Sequence, residues 1–418
     1  MTTIAGLVRW NAERLPEAEA LVHADRRHTW REPDALVDLV AAVAVDLAAL
    51  VAEGPGPAAA VPDDVEESDD ALIIYTSGTT GHPKGVLLDH HRELWAGLMQ
   101  LPMCGLGQAD RYLHLAPLYH GAGMTLATAM LLVGGAQVVM GSFDPATALE
   151  AIELERITAL LAVPTMLTLM LDHPDRPHRD LTSWRMGIFG AAPMPESAVR
   201  KSVTALPHVS LMQQCGQTEA GPAGIYADTA QVRARPDASG RQAFPYMQAR
   251  VLDEAGRPVV PPATGELVLR GESVMKGYWG RPADTAEVLR DGWLYTGDLV
   301  RLDAEGYLTV VDRMRDLILT GGRNVYSVEV ENAVRSHPAV ADCGVVGRPH
   351  EQYGETVVAV ISPVGDAVPT LEEIRAHCAE LIADYKLPRA LVVAPIPRNA
   401  SGKIVKHELR GALRAREH

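Results

Sequence analysis

The chain has 418 residues, 47% apolar and 22% charged, proportions that argue against bulk disorder and allow more than one packed domain. Lys and Arg total 38 against 53 Asp and Glu, and this formal charge of −15 speaks against general binding to nucleic acid, whose phosphates demand cations. Four scattered cysteines (Cys104, Cys215, Cys343, Cys378) form no CxxC pair, so neither a disulfide framework nor a zinc box is expected and a cytoplasmic location is.

The opening MTTIAGLVRWNAE has neither the basic start nor the apolar core of a signal peptide, and the apolar stretch 39–52 is broken by Asp46, so no membrane association is expected. Residues 34–52 carry apolar side chains at helical spacing and predict one helix. A Gly54-Pro-Gly-Pro57 connector follows, and then residues 62–70, where six carboxylates in nine positions predict a solvated loop. From Ala71 onward, short apolar runs (71–75, 111–116, 136–140, 159–163, 185–189) alternate with helical stretches such as 121–132 and 145–155. That alternation predicts an α/β sheet with largely parallel strands. Residues 240–312 are rich in Gly, Pro and β-branched types and predict a β-rich subdomain. A compact α+β segment then runs to the C-terminus, with strands near 342–347 and 355–362 and a helix near 371–383.

Only six of the basic residues are lysines: Lys84, Lys201, Lys276, Lys386, Lys403 and Lys406. In a chain so biased toward Arg, the remaining lysines mark candidate sites for a compact ammonium. Lys84 ends Tyr75-Thr-Ser-Gly-Thr-Thr-Gly-His-Pro-Lys-Gly85, which directly follows an apolar run. Glycines that let backbone N–H groups approach an anion, hydroxyl donors and a lysine together make a phosphate cradle; the second Gly and Ser/Thr of a Walker loop are absent. Gln213-Gln-Cys-Gly-Gln-Thr-Glu-Ala-Gly221 offers Glu219 as a carboxylate for Mg²⁺ beside such a cradle. Asp298, in Asp291-Gly-Trp-Leu-Tyr-Thr-Gly-Asp298, can accept from ribose hydroxyls, and Arg313 can donate to them. Pro397-Arg-Asn-Ala-Ser-Gly-Lys-Ile404 is a turn that presents Lys403.

In this order, the four stretches resemble the acyl-adenylate-forming superfamily of acyl- and aryl-CoA ligases, peptide-synthetase adenylation domains and beetle luciferases. The resemblance covers roughly residues 71–412, and Ala116-Pro-Leu-Tyr-His-Gly-Ala-Gly123, Phe189-Gly-Ala-Ala-Pro193, Val274-Met-Lys-Gly-Tyr-Trp279 and Leu319-Thr-Gly-Gly-Arg-Asn324 agree with it. It implies a large N-terminal domain of α/β sheets with a β-rich subdomain (1–314) and a small mobile α+β domain (315–418), with Arg315 at the hinge. It also implies a two-step reaction: a carboxylate attacks the α-phosphate of MgATP to give acyl-AMP and pyrophosphate, and a thiol then takes the acyl group. The thiol is that of coenzyme A or of a carrier protein's pantetheine.

By position, Thr76, Ser77, Gly78, Thr79, Thr80, Gly81 and Lys84 would cradle pyrophosphate, with Thr76 and Glu219 at Mg²⁺. Gly190, Ala191, Ala192, Cys215, Gly216, Gln217 and Thr218 would enclose adenine and the reacting carboxylate, Asp298 and Arg313 would hold the ribose, and Lys403 would bridge carboxylate and α-phosphate. Where amino-acid-activating relatives place an Asp to pair the substrate amine, this chain has His120. That choice, with Val163, Phe189, Gly190, Met212 and Cys215 as further wall, points to an aryl or medium alkyl acid.

The chain departs from the family pattern in two places. Cys215 stands where an aromatic is usual, which enlarges the pocket or weakens stacking. The long α/β region that separates a stretch like His28-Thr-Trp-Arg-Glu32 from the phosphate loop in relatives is much shorter here, so an exposed sheet edge, covered by a homodimer or another partner, is expected. Two alternatives stay open at this point: transfer to a carrier, amine or other nucleophile, and a non-catalytic paralogue that only binds nucleotide or acyl ligand.

Overall fold

A computed structural model describes residues 3–23, 26–31, 65–76, 83–365, 367–398 and 404–415. The predicted helix 34–52, the connector after it, Ser77–Gly81 of the phosphate loop and Lys403 lie outside the described residues. The chain forms two compact units, one of Met1–Arg250 with Val268–Thr296 and one of Val251–Leu267 with Gly297–His418.

The first unit opens with α1 (Ile4–Arg14), whose start Thr3 caps by accepting from Gly6 N, and the antiparallel strands β1 (Glu19–His23) and β2 (Arg26–Thr29). The antiparallel pair β3 (Asp70–Thr76) and β4 (Lys84–Asp89) leads into α2 (His90–Cys104), capped by Asp89 and stopped by Gly105 in the left-handed conformation. Strand and helix then alternate: β5 (Arg111–His114), α3 (Gly121–Val133), β6 (Ala136–Val139), α4 (Pro145–Leu154), β7 (Ala159–Ala162), α5 (Pro164–Asp172), β8 (Met186–Gly190), α6 (Glu196–Ala205), β9 (Ser210–Gln217), β10 (Ala223–Ala227) and α7 (Thr229–Ala234). The sequence-predicted strands and helices from 111 to 189 all appear, shifted by a few residues at most.

Residues 240–312 hold β11 (Gln242–Ala243), β12 (Met247–Leu252), β13 (Ala263–Gly271), β14 (Gly277–Tyr278), one short helix α8 (Pro282–Val288), β15 (Leu289–Arg290), β16 (Trp293–Leu302) and β17 (Leu308–Arg313), the expected β-rich stretch.

The main sheet has nine strands in the order β11-β10-β9-β8-β7-β5-β6-β1-β2. Strands β1 and β5 to β9 run parallel; β2, β10 and β11 are antiparallel additions at the two edges. Strands β6, β7 and β8 are buried along their whole length, so they read as continuous apolar runs. Leu113, Leu149, Ile152, Leu160, Trp184 and Phe189 pack on one face, and Tyr112, Met130, Leu161, Ile188 and Met212 on the other. The short edge strand β2 carries Arg26 and Arg27, and Arg27 pairs with Glu19 at 3.0 Å and with Glu155 at 2.5 Å. Charge of this kind blunts edge-to-edge strand addition.

Helices α2 and α3 cross closely at Gly97, where a Cβ would meet Thr128 Cγ2 at 2.9 Å. One turn earlier, the fully buried Glu93 accepts a 2.7 Å bond from Thr128 Oγ1 through one oxygen, while its other oxygen has no hydrogen-bond partner among the described residues. Burial pushes this carboxyl up to about 7, against the smaller opposing pull of Thr128. Because the folded value lies above the unfolded one, the neutral acid's contribution is full below about pH 4.5 and is lost as pH rises through about 7. Glu93→Gln is therefore expected to stabilise the protein at pH 8, by on the order of 1–3 kcal/mol, and to lose that advantage at pH 5. Urea midpoints at the two pH values check this; an equal shift at both would refute it.

In the second unit β16 and β17 pair with Asp298 opposite Arg313. Strands β18 (Ile318–Thr320), β19 (Arg323–Val325), β20 (Val340–His350) and β21 (Gly354–Pro363) form a sheet in the order β19-β18-β21-β20, and β22 (Ala390–Val393) lies parallel to β21. Helices α9 (Ser327–Arg335) and α10 (Leu371–Ala379) pack Val330, Val334, Ile374 and Cys378 against Val345, Val357 and Ala359. Helix α11 (Lys406–Ala415) closes the chain, its Leu409 and Leu413 on Val346, Val358 and Val360.

Candidate active site

Strands β3 and β4 face each other with Thr76 opposite Lys84, so the predicted phosphate loop joins two strand ends held in register. A third strand, β14, adds to β4 with Tyr278 opposite Val86, and Trp279 N donates to Gly85 O at 2.7 Å. A Cβ on Gly85 would sit 2.7 Å from Ile73 Cγ2 of β3, so glycine lets that side chain pack over the start of β4. Lys84 is 6% exposed. Its ammonium lies 3.4 Å from Asp284 Oδ1 and 4.8 Å from the centre of the Tyr278 ring. Desolvation pushes the Asp284 carboxyl up, but Arg281 and Lys84 together hold it below the ordinary aspartate value. Sequence reasoning found the lysine and missed both of its partners.

The carboxyl ends of β5, β7, β8 and β9 lie side by side in the parallel sheet, where α/β proteins bind ligands. Beyond β5 comes His120, the N-cap of α3, whose N–H donates to Pro117 O at 2.9 Å; beyond β7 comes Val163, the N-cap of α5. Strand β8 ends in Gly190, followed by Ala191 at φ +63 and then Ala192. A Cβ on Gly190 would run into the Gln214 carbonyl oxygen of β9, so only glycine lets the two backbones pass. At the end of β9, Cys215 and Gly216 pair with Ile225 and Gly224 of β10, and a Cβ on Gly216 would meet Ala223 O at 2.5 Å.

The turn from Thr218 to Ala220 then carries Glu219. It is tied from outside: Ser273 Oγ donates to Ala220 O at 2.6 Å, Met275 N to Glu219 O at 3.0 Å, and Tyr278 Oη to Glu219 Oε1 at 3.0 Å. The helix start after His120 meets the same turn, since a Cβ on Gly121 would strike Pro222.

The structure therefore gathers His120, Val163, Gly190, Ala191, Cys215, Gly216, Gln217, Thr218 and Glu219 at one edge of one sheet. Phe189 and Met212, expected to share a pocket wall, are not brought together. Phe189 packs with Leu160 and Leu149 on one face of the sheet, and Met212 with Ile188 and Leu161 on the other. Side chains alternate along a strand, and in parallel register Met212 sits beside Ile188, one residue before Phe189.

In the second unit Arg313 Nε lies 3.1 Å from Asp298 Oδ1, so the two expected ribose ligands are neighbours. The adjacent Asp312 accepts from the backbone and hydroxyl of Ser327 and from Arg313 N at 2.8 Å; burial raises its carboxyl above the ordinary value despite Lys406 nearby. Arg315 is pulled below the usual guanidinium value, first by burial and then by Arg313. Arg410 reaches Asp316 at 2.7 Å, and Lys406 reaches Glu331 at 2.9 Å.

Thr76 and Glu219 are hydroxyl and carboxylate oxygens, the hard donors that suit Mg²⁺. Among the described residues no helix is long and apolar enough to cross a membrane.

Two family models match the chain: AMP-binding enzyme over residues 44–279, and AMP-binding enzyme C-terminal domain over residues 329–403. The chain is 38% identical over 344 residues to a feruloyl-CoA synthase of an Amycolatopsis species, covering 82% of this chain and 70% of that protein. It is 38% identical over 355 residues to an indoleacetate–CoA ligase of Aromatoleum aromaticum, covering 84% and 69%. The o-succinylbenzoate CoA synthetase of Bacillus subtilis, solved with an acyl-adenylate intermediate, superposes with a TM-score of 0.83 at 25% identity over 97% of each chain. The same synthetase has also been solved with ATP and a magnesium ion.

Proposed function

Since this chain belongs to the AMP-binding enzyme family and the curated relatives named above are a CoA synthase and a CoA ligase, we propose that it activates an aryl or medium alkyl carboxylic acid with ATP and passes the acyl group to coenzyme A. The observation that carries this reading is the sheet edge where His120, Val163, Gly190 and Cys215 adjoin the anchored Glu219 turn.

The expected wall of His120, Val163, Met212 and the small Cys215, with no carboxylate at position 120 to pair an amino group, suits an aryl acid. Both relatives named above act on aromatic acids by name, which supports the same class. The Gly190–Ala192 turn and residues 215–218 flank adenine and the carboxylate, Asp298 and Arg313 take the ribose hydroxyls, and the 76–84 segment takes the polyphosphate. Thr76 and Glu219 would hold Mg²⁺, which would supply positive charge beside the phosphates. Lys403 meets the negative charge that builds between carboxylate and α-phosphate, and Arg315 is the hinge residue between the half-reactions.

Incubating the protein with MgATP and a panel of carboxylic acids, with acyl-AMP read by mass spectrometry, tests the reading. Aryl acids are expected to give acyl-AMP with pyrophosphate, and added coenzyme A to give the thioester. No acyl-AMP from any acid would overturn the proposal; acyl-AMP that reacts with a holo-carrier or an amine but not with coenzyme A would reassign the acceptor.

A further inference from the structure

Lys84 and Glu219 have opposite charges and sit on different elements, yet a single side chain touches both. The Tyr278 ring lies under the Lys84 ammonium, 4.8 Å from ring centre to nitrogen, and its hydroxyl donates to Glu219 Oε1 at 3.0 Å. Tyr278 is itself held in place: its backbone N–H donates to Thr285 Oγ1 at 2.9 Å, and that hydroxyl donates onward to Arg281 O at 2.9 Å. Strand β14 fixes it further by pairing with β4, the strand that begins with Lys84.

We infer that Tyr278 is the positioning residue of the metal and phosphate site: its phenol fixes the Glu219 carboxylate and its ring fixes the Lys84 ammonium. The inference rests on the assignment of Glu219 to Mg²⁺ made above. A glutamate side chain has three rotatable bonds, and on a surface turn it samples many rotamers. A neutral donor on Oε1 selects one of them without removing the charge, and leaves Oε2 for the cation. Loss of such an outer partner typically weakens metal binding about 10–100-fold. The ring acts separately, because a cation over an aromatic face is held by the quadrupole rather than by the hydroxyl. The two halves of the role can therefore be removed one at a time.

The test follows ATP binding by calorimetry across a Mg²⁺ titration, with Tyr278→Phe, Tyr278→Leu and Glu219→Gln compared with the unaltered protein. Tyr278→Phe keeps the ring and loses the hydroxyl, so the Mg²⁺ concentration for half-maximal ATP binding is expected to rise about tenfold. Its pyrophosphate affinity, KM for the acid and unliganded melting temperature should stay unchanged. Tyr278→Leu loses both contacts, so its pyrophosphate affinity should fall as well. Glu219→Gln should shift the Mg²⁺ midpoint at least as far as Tyr278→Phe, and Tyr278→Phe added to it should shift nothing further.

A normal Mg²⁺ midpoint in Tyr278→Phe, beside a shifted one in Glu219→Gln, would overturn the role of Tyr278 and leave the metal assignment standing. A normal midpoint in Glu219→Gln would overturn both. If Tyr278→Phe changes the acid KM and the melting temperature along with the midpoint, the contact is structural and the inference fails.

Discussion

Lys403→Ala is expected to abolish acyl-AMP formation, slowing the first half-reaction by about 10²–10³-fold or more, while ATP still binds. An ammonium that meets developing charge on the attacking carboxylate and the α-phosphate acts more strongly in the transition state than in the ground state, so its loss falls on rate rather than on affinity. The described residues on either side of Lys403 are themselves held in the fold. Arg398 and Ile404 form an antiparallel bridge, and Arg398 Nη2 bonds both oxygens of Asp342 at 2.8 Å. Immediately after, α11 is anchored by Lys406 to Glu331 at 2.9 Å and by Arg410 to Asp316 at 2.7 Å. Pyrophosphate exchange measures the first step and calorimetry the ATP affinity; thioester formation from synthetic acyl-AMP should survive the substitution. Unchanged exchange would remove Lys403 from the chemistry, and parallel loss of ATP affinity would make it a nucleotide ligand instead.

Much of the first unit was readable from residues alone, for a physical reason. Parallel strands buried on both faces, such as Ala159–Ala162 and Met186–Gly190, must be short unbroken apolar runs, and helices such as Pro145–Leu154 announce themselves by an Asp-Pro start. That same property hid which way Phe189 and Met212 point, because a run that is apolar on both faces carries no alternation to read. Strand β2, Arg-Arg-His-Thr, has no hydrophobic pattern; it is held by register with β1 and by Arg27 on Glu155. In the site, motif chemistry located Lys84 and Glu219, but Asp284 and Tyr278 meet them through tertiary structure, Tyr278 from the Val274–Trp279 stretch that resembled the family without suggesting a role. Lys276 of that stretch serves the fold as well, pairing with Asp70 at 2.5 Å.

Two neighbouring substitutions of one methyl group are expected to differ sharply in their consequences. Gly190→Ala places a Cβ against the Gln214 carbonyl oxygen, which belongs to the backbone of β9 and is held in register with β8. No side-chain rotation relieves that clash, so the strands must separate where the carboxyl ends of β8 and β9 meet the Glu219 turn. The melting temperature is expected to fall by about 5–10 °C, in line with overpacking of a rigid site, and acyl-AMP formation to drop with it. Ala191→Gly removes a methyl from a residue at φ +63, a conformation that costs an L-residue roughly 1 kcal/mol and glycine nearly nothing. Greater freedom in the unfolded chain offsets most of that relief, so the melting temperature should move by less than about 2 °C. Differential scanning calorimetry of the two proteins checks the pair. A tolerated Gly190→Ala would mean that β8 and β9 part without penalty, and the tight backbone crossing would then not be what shapes the nucleotide side of the site.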